Sequence, residues 1–234
     1  TYNFTGSQTV VGSSANAFSY ELNGNTNIDN YEISKQEGTL TVTNREAKYE
    51  ITVKANSATA TYDGKEHEAV GVETYEFTVE GNSYTVSGLS TEDPKQKDAG
   101  SYTNNITGTP VVTDKEGNVV TSEFEVKTEN GSLEIGKAAV TLKSATLSKK
   151  YDGNALVNGD TALEIESGFA EGEGATYNFT GSQTVVGSSA NAFSYELNSN
   201  TNIDNYEMSK QEGTLTVTNR EAKYEITVKA NSAT

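Results

Sequence analysis

Apolar and polar residues alternate along most of this chain with a period of two. Tyr49, Ile51 and Val53 alternate with Glu50, Thr52 and Lys54; Tyr75, Phe77 and Val79 alternate with Glu76, Thr78 and Glu80. Phe124 and Val126 alternate with Glu125 and Lys127, and Leu215 and Val217 with Thr214 and Thr216. Successive strand residues face opposite sides of a sheet, so alternation rich in β-branched and aromatic residues predicts half-buried strands. Gly64, Gly71, Gly81, Gly88, Gly100, Gly117 and Gly131 separate these runs at the spacing of short sandwich strands. No helical face is sustained. The best candidate, Thr161–Ala170, is short and interrupted by Gly168, so a strand or a single turn fits it equally well.

The pattern also repeats. Residues 1–59 recur as residues 176–234 with two differences, Gly24 against Ser199 and Ile33 against Met208. The offset of 175 residues is far longer than a short solenoid period, so each period holds at least one whole domain. Domains commonly run to about 100–150 residues, which favours two small ones per period.

Weaker similarities place the boundaries. Ile51–His67 matches Val140–Ala155 in its alternation and in the Tyr-Asp-Gly near its end (Tyr62–Gly64, Tyr151–Gly153), and both read as domain openings. Ser122–Gly136 lines up with Asp29–Thr43 and Asp204–Thr218, each two alternating runs joined across a glycine, which predicts a closing hairpin. The resulting division is a partial B-type repeat over 1–47 without its opening strands, an A-type repeat over 48–137, a B-type repeat over 138–222, and the opening strand of a further A-type repeat over 223–234. The chain then reads as a piece of a longer array cut out of phase. Unpaired ends of that kind invite strand exchange between copies.

The fold class expected is all-β: small immunoglobulin-like, Greek-key sandwiches in an elongated tandem array. Asp98–Tyr102 (DAGSY) supports this, being like the turn into a strand of such sandwiches, where a tyrosine hydroxyl returns to upstream backbone. The alternative is a β-grasp-like repeat, against which the missing helix counts.

Composition narrows the chemistry. The chain has no Cys, no Trp, one His, two Pro, 13 Tyr and 7 Phe, so disulfides and thiolate metal sites are unavailable to it and tyrosine must supply much of the core. A net charge of −16 repels nucleic acid and anionic lipid. No apolar run approaches the roughly 18 residues that a membrane-spanning helix needs, so membrane insertion is not expected of these residues.

KKYDG at Lys149–Gly153, FTGSQT at Phe179–Thr184, VGSS at Val186–Ser189 and NYEISKQEGTLTVT at Asn30–Thr43 together resemble the MBG and YDG-type repeats of large Firmicute cell-surface proteins and adhesins. The resemblance covers both repeat types, B more closely than A, whose Leu89–Tyr102 departs from it. It implies an exported, cell-wall-associated, extracellular protein of Gram-positive bacteria, with such domains strung into a stalk or adhesive arm. It transfers no catalytic residues.

Several features are candidates for chemistry. His67, between Glu66 and Glu68, reads as a lone loop histidine, because general-base or metal work needs a positioned partner set. Asn23, Asn25, Asn27 and Asp29, repeated as Asn198, Asn200, Asn202 and Asp204, have a spacing that could offer oxygens to Ca²⁺. Calcium sites lean on several carboxylates, however, and the same amides suit a turn. Asp93, Asp98, Asp114 and Glu116 read as solvated acidic loops. Lys54 and Lys143 lie in opening strands, where an inward-facing lysine could form an isopeptide bond with Asn. Exposed tyrosines could stack on sugars, although alternating positions assign most of them to the core. The reading is a structural spacer that is not an enzyme and has no cofactor; the alternative is that the repeats themselves bind host glycan or an extracellular protein. Neighbouring repeats and strands of other copies are the remaining partners.

Overall fold

The computed structural model describes residues 1–159 and 162–231. The described residues form β-strands and three single-turn 3-10 helices at Ile28–Asn30, Thr121–Glu123 and Ile203–Asn205, with no α-helix. The all-β expectation therefore holds. Within the ambiguous segment, Thr161 lies outside the described residues and Ile165–Ser167 is a strand. Of the opening strand expected over 223–234, residues 223–231 carry no regular structure and residues 232–234 lie outside the described residues.

The chain divides into two compact units, one of Thr1–Ala58, Glu68–Pro94 and Tyr102–Leu133, the other of Thr59–His67, Lys95–Ser101 and Glu134–Thr234. In the first, Glu76–Val79, Asn82–Thr91 and Ile106–Asp114 make an antiparallel sheet, and Tyr49–Lys54 pairs in parallel with Phe124–Glu129. Alternation puts Ile51, Val53, Val86, Val112 and Phe124 into one core, with Tyr49, Phe77 and Tyr84 packed around it. The pairing of Asn82–Thr91 with Ile106–Asp114 slips between Gly108 and Val111. Gly88 and Gly108 face each other there with φ of +77° and +108°, and a Cβ on Gly108 would lie 2.2 Å from the Gly88 carbonyl oxygen. Pro110 occupies the bulge, where its missing N–H leaves the ladder intact.

In the second unit, Ala138–Lys143 runs parallel to Tyr206–Gln211 and antiparallel to Ile165–Ser167. Thr214–Thr218 lies parallel to Leu147–Lys150 and antiparallel to Gly187–Ala190, and Ala175–Phe179 pairs with Phe193–Leu197. Val140, Leu142, Phe193, Tyr206, Leu215 and Val217 are buried.

This topology corrects the closing hairpins. Tyr206–Gln211 and Thr214–Thr218 do not pair with each other; the first follows Ala138–Lys143 and the second Leu147–Lys150, so opening and closing segments step together from one sheet to another. Ser144 N–H donates to the Gln211 carbonyl at 3.1 Å, and Gly213 N–H donates to Ser144 Oγ at 2.9 Å. A Cβ on Gly213 would lie 2.3 Å from the Ala145 carbonyl oxygen. The glycine between the runs serves a close backbone crossing rather than a tight turn, and local sequence alone does not separate the two uses. Phe124–Glu129 and Gly131–Gly136 are likewise unpaired with each other, with a Cβ on Gly131 placed 2.2 Å from the Asn56 carbonyl oxygen.

The duplicated block keeps its internal register in both contexts. Tyr2 pairs with Tyr20 as Tyr177 with Tyr195, and Gly12 with Val42 as Gly187 with Val217. What differs is burial. Tyr31 is 62% exposed where Tyr206 is 3% exposed, and Tyr31–Gln36 forms no strand where Tyr206–Gln211 does.

Candidate functional site

A polar–aromatic arrangement in the second unit joins residues that the sequence assigns to successive A-type and B-type repeats. Tyr62, of the first Tyr-Asp-Gly, donates its hydroxyl to Glu173 Oε1 at 2.5 Å. Tyr206, at the start of the closing strand, donates to Glu173 Oε2 at 2.7 Å and accepts from the Ala170 N–H at 3.0 Å. The Tyr62 and Phe169 rings each stand edge-on to Tyr206, with centroids 5.3 Å away. Beside them Asn205 is buried; its Oδ1 accepts from the Ala99 N–H at 2.8 Å, and its Nδ2 donates to Asp98 Oδ1 at 2.8 Å. One carboxylate and one amide thus hold two tyrosines and a loop. Glu173 thus accepts from two tyrosine hydroxyls at once, one on each carboxylate oxygen.

Burial first, then the Glu173 carboxylate, pushes the Tyr62 hydroxyl well above the usual tyrosine range; burial likewise pushes Tyr206 up. The folded state therefore holds both phenols neutral more tightly than the unfolded chain does, and that stability is complete below the ordinary tyrosine pKa of about 10 and is lost as pH rises through the raised values. Ultraviolet titration against Tyr62→Phe and Tyr206→Phe variants should show these two phenols ionising only together with unfolding. Their ionisation near pH ~10 with the fold intact would sink this assignment.

A related cluster lies in the first unit. Tyr49 donates to Glu80 Oε2 at 2.6 Å, its ring lies 5.6 Å from Phe124, and Arg45 stacks over it at 3.5 Å. Arg45 N–H donates to Glu123 Oε2 at 3.2 Å. Glu123–Phe124 and Asn205–Tyr206 occupy the same place, the end of the 3-10 turn and the start of the closing strand, and in each pair the first residue accepts a backbone N–H from an earlier segment. Neither cluster stands out in the sequence, where Glu173 is one acid among many. Its flanking glycines, Gly172 and Gly174, were the available signal.

The other candidates have structural partners. His67 is half-buried in the short strand His67–Glu68, with Nε2 2.9 Å from Asp63 Oδ1, so it is not the solitary loop histidine expected. In the asparagine loop, Asn202 Oδ1 caps the 3-10 turn by accepting from the Asp204 N–H at 3.1 Å, as Asn27 does for Asp29, and Asn200 Nδ2 donates to the Gly172 carbonyl at 2.8 Å. Asn198 N–H donates to the Gly174 carbonyl at 2.9 Å. Among the described residues no group of three or more His, Cys, Asp or Glu side chains could hold a metal ion. A Cβ on Gly24 would meet nothing within 4 Å, which explains the exchange with Ser199.

The acidic loops build turns. Asp114 Oδ1 accepts from the N–H groups of Glu116 and Asn118 at 3.0 and 2.8 Å, and Asp93 Oδ1 accepts from the Gly71 N–H at 2.8 Å. The Asn118 side chain in the first case, and the Gly71 N–H in the second, hold these carboxyls below their usual range. Lys54 and Lys143 point outward, following buried Val53 and Leu142, and meet Glu129 at 2.8 Å and Glu164 at 3.1 Å. Of the tyrosines, only Tyr2, Tyr20, Tyr31 and Tyr224 are exposed, all in the two end segments. No helix among the described residues is long and apolar enough to cross a membrane. Compared with protein-family models, curated proteins and solved structures, the chain matches none.

Proposed function

We propose that this chain is part of the stalk of a bacterial cell-surface adhesin, wall-associated and extracellular, in which A-type and B-type repeats alternate and project a distal binding region. The observation that carries the reading is the duplicated block, which keeps one pairing register in two different surroundings. A spacer needs each copy to adopt the same geometry whatever its neighbours; a receptor needs a presented surface. The Glu173 cluster adds a specific junction between an A-type and a B-type stretch. We assign the repeats to the MBG/YDG type and read each as a small immunoglobulin-like sandwich in tandem, the paired opening and closing segments crossing between its sheets. The role is non-catalytic and uses no cofactor.

Arrays of one to four 175-residue periods should give a maximum dimension, by small-angle X-ray scattering, that rises linearly with period number. The same arrays should give no signal on a glycan array. Dimensions that plateau, or reproducible sugar binding by a single period, would defeat the spacer reading in favour of repeats that bind host glycan or protein.

A further inference from the structure

Three Asn-Gly pairs occur in the chain: Asn23–Gly24, Asn130–Gly131 and Asn158–Gly159. An asparagine followed by glycine loses its side-chain amide readily, because a glycine nitrogen with no Cβ beside it can reach the asparagine Cγ. The fold treats the three pairs differently. Asn130 is held at both ends of its amide: Oδ1 accepts from the Ile106 N–H at 3.0 Å, and Nδ2 donates to Asn105 Oδ1 at 2.8 Å. Gly131 is buried at the start of the strand Gly131–Gly136, packed on the Asn56 carbonyl, which fixes its nitrogen in place. Asn158 is 2% exposed, and its Oδ1 accepts from Asn191 Nδ2 at 2.6 Å. Asn23 and Gly24, by contrast, are exposed in a turn closed by the Thr26 N–H, which donates to the Asn23 carbonyl at 2.8 Å. Among the described residues neither the Asn23 side chain nor the Gly24 N–H has a hydrogen-bond partner. The loop has the same form in the second copy, where the opening strands of the repeat are present. There the Thr201 N–H donates to the Asn198 carbonyl at 2.9 Å, and Asn198 and Ser199 are exposed.

We propose that Asn23 is a site of spontaneous deamidation, passing through a succinimide to aspartate and isoaspartate, and that the Gly24–Ser199 exchange decides which copies of the loop undergo it. The Gly24 nitrogen attacks Asn23 Cγ. The new N–Cγ bond closes a five-membered ring, the Cγ–Nδ2 bond breaks, and the departing nitrogen carries off the Gly24 amide proton as ammonia. Water then opens the ring at either carbonyl, its hydroxyl going to the carbon and its proton to the Gly24 nitrogen. Opening at Cγ gives aspartate; opening at the Asn23 backbone carbonyl gives isoaspartate, with the chain now running through the side chain. Each event replaces a neutral amide with a carboxylate and adds one negative charge to the −16 of the chain. The isoaspartate product also lengthens the backbone of the turn by a methylene. In the second copy the Ser199 side chain crowds the attacking nitrogen, and Asn198 keeps its amide.

The test is prolonged incubation of the folded 234-residue chain in mildly alkaline buffer, followed by peptide mapping with mass spectrometry and enzymatic methylation of isoaspartate. The Asn23 peptide should gain the mass difference between water and ammonia and become a methyl acceptor, while the peptides holding Asn130, Asn158 and Asn198 stay unchanged. Gly24→Ser should abolish the conversion over the time in which half of the parent converts. Ser199→Gly should create a second site at Asn198, inside a repeat whose opening strands are present. Both substitutions exchange residues that the two copies already carry, and a Cβ on Gly24 would meet nothing within 4 Å, so circular dichroism should not change. In urea, Asn130 and Asn158 should convert as fast as Asn23, which separates protection by the fold from local sequence. Conversion of Asn130 or Asn158 as fast as Asn23 in the folded chain would overturn the proposal. So would an Asn23 that stays intact, or a Ser199→Gly chain whose Asn198 does.

Discussion

Gly213→Ala should destabilise the 138–222 stretch by about 3 kcal/mol, whereas Gly38→Ala, at the same place in the duplicated block, should change stability by less than about 0.5 kcal/mol. A Cβ on Gly213 would lie 2.3 Å from the Ala145 carbonyl oxygen and 2.5 Å from that of Ser144, both backbone atoms that cannot swing aside. A Cβ on Gly38 would meet only Asn16 Cβ, at 3.9 Å. Neither glycine has a positive φ, so the contrast isolates the crossing of opening and closing segments from conformational freedom. Urea unfolding followed by tyrosine fluorescence, with limited proteolysis to locate the weakened stretch, reads the difference. Equal effects at the two positions would show that the crossing is not what requires glycine.

Glu173→Ala should cost about 2–3 kcal/mol, since it strips the acceptor from two buried tyrosine hydroxyls and each orphaned donor costs about 1–3 kcal/mol, less what water regains at this half-buried site. Tyr62→Phe removes one donor and leaves Tyr206 paired with Glu173, and should cost about 1 kcal/mol. Combining the two should cost less than their sum, because the hydroxyl orphaned by the first change is absent in the second. Strict additivity in the double-mutant cycle would mean that the 2.5 and 2.7 Å contacts are not coupled through the carboxylate.

The strands were legible wherever alternation was strong. Ile51 and Val53, Phe124, and Leu215 with Val217 all lie buried with their polar neighbours outside. The step between sheets was not legible, because a glycine between two alternating runs marks a hairpin and a backbone crossing in the same way; only the partner segment, far off in sequence, tells them apart. His67 departs from a solitary histidine for a related reason: its partner Asp63 stands four residues away, and Glu66 and Glu68 mask it in the sequence. The Glu173 cluster is not legible in the sequence because its members, Tyr62, Glu173 and Tyr206, are separated by 111 and 33 residues. The end segments are the reverse case. There the residues forecast buried strands, and the structure leaves Tyr31, Ile226 and Val228 exposed because burial depends on a second segment as well as on the alternation.

The parallel pairing of opening and closing strands has a mechanical consequence. Tension along the chain pulls Tyr49–Lys54 toward its own N-terminus and Phe124–Glu129 toward its own C-terminus. Parallel neighbours drawn in opposite directions along their length load all their cross-strand hydrogen bonds at once, in shear, instead of unzipping them singly. Ala138–Lys143 with Tyr206–Gln211, and Leu147–Lys150 with Thr214–Thr218, are loaded in the same sense. These pairings thus resist extension of the chain by shear along the strands.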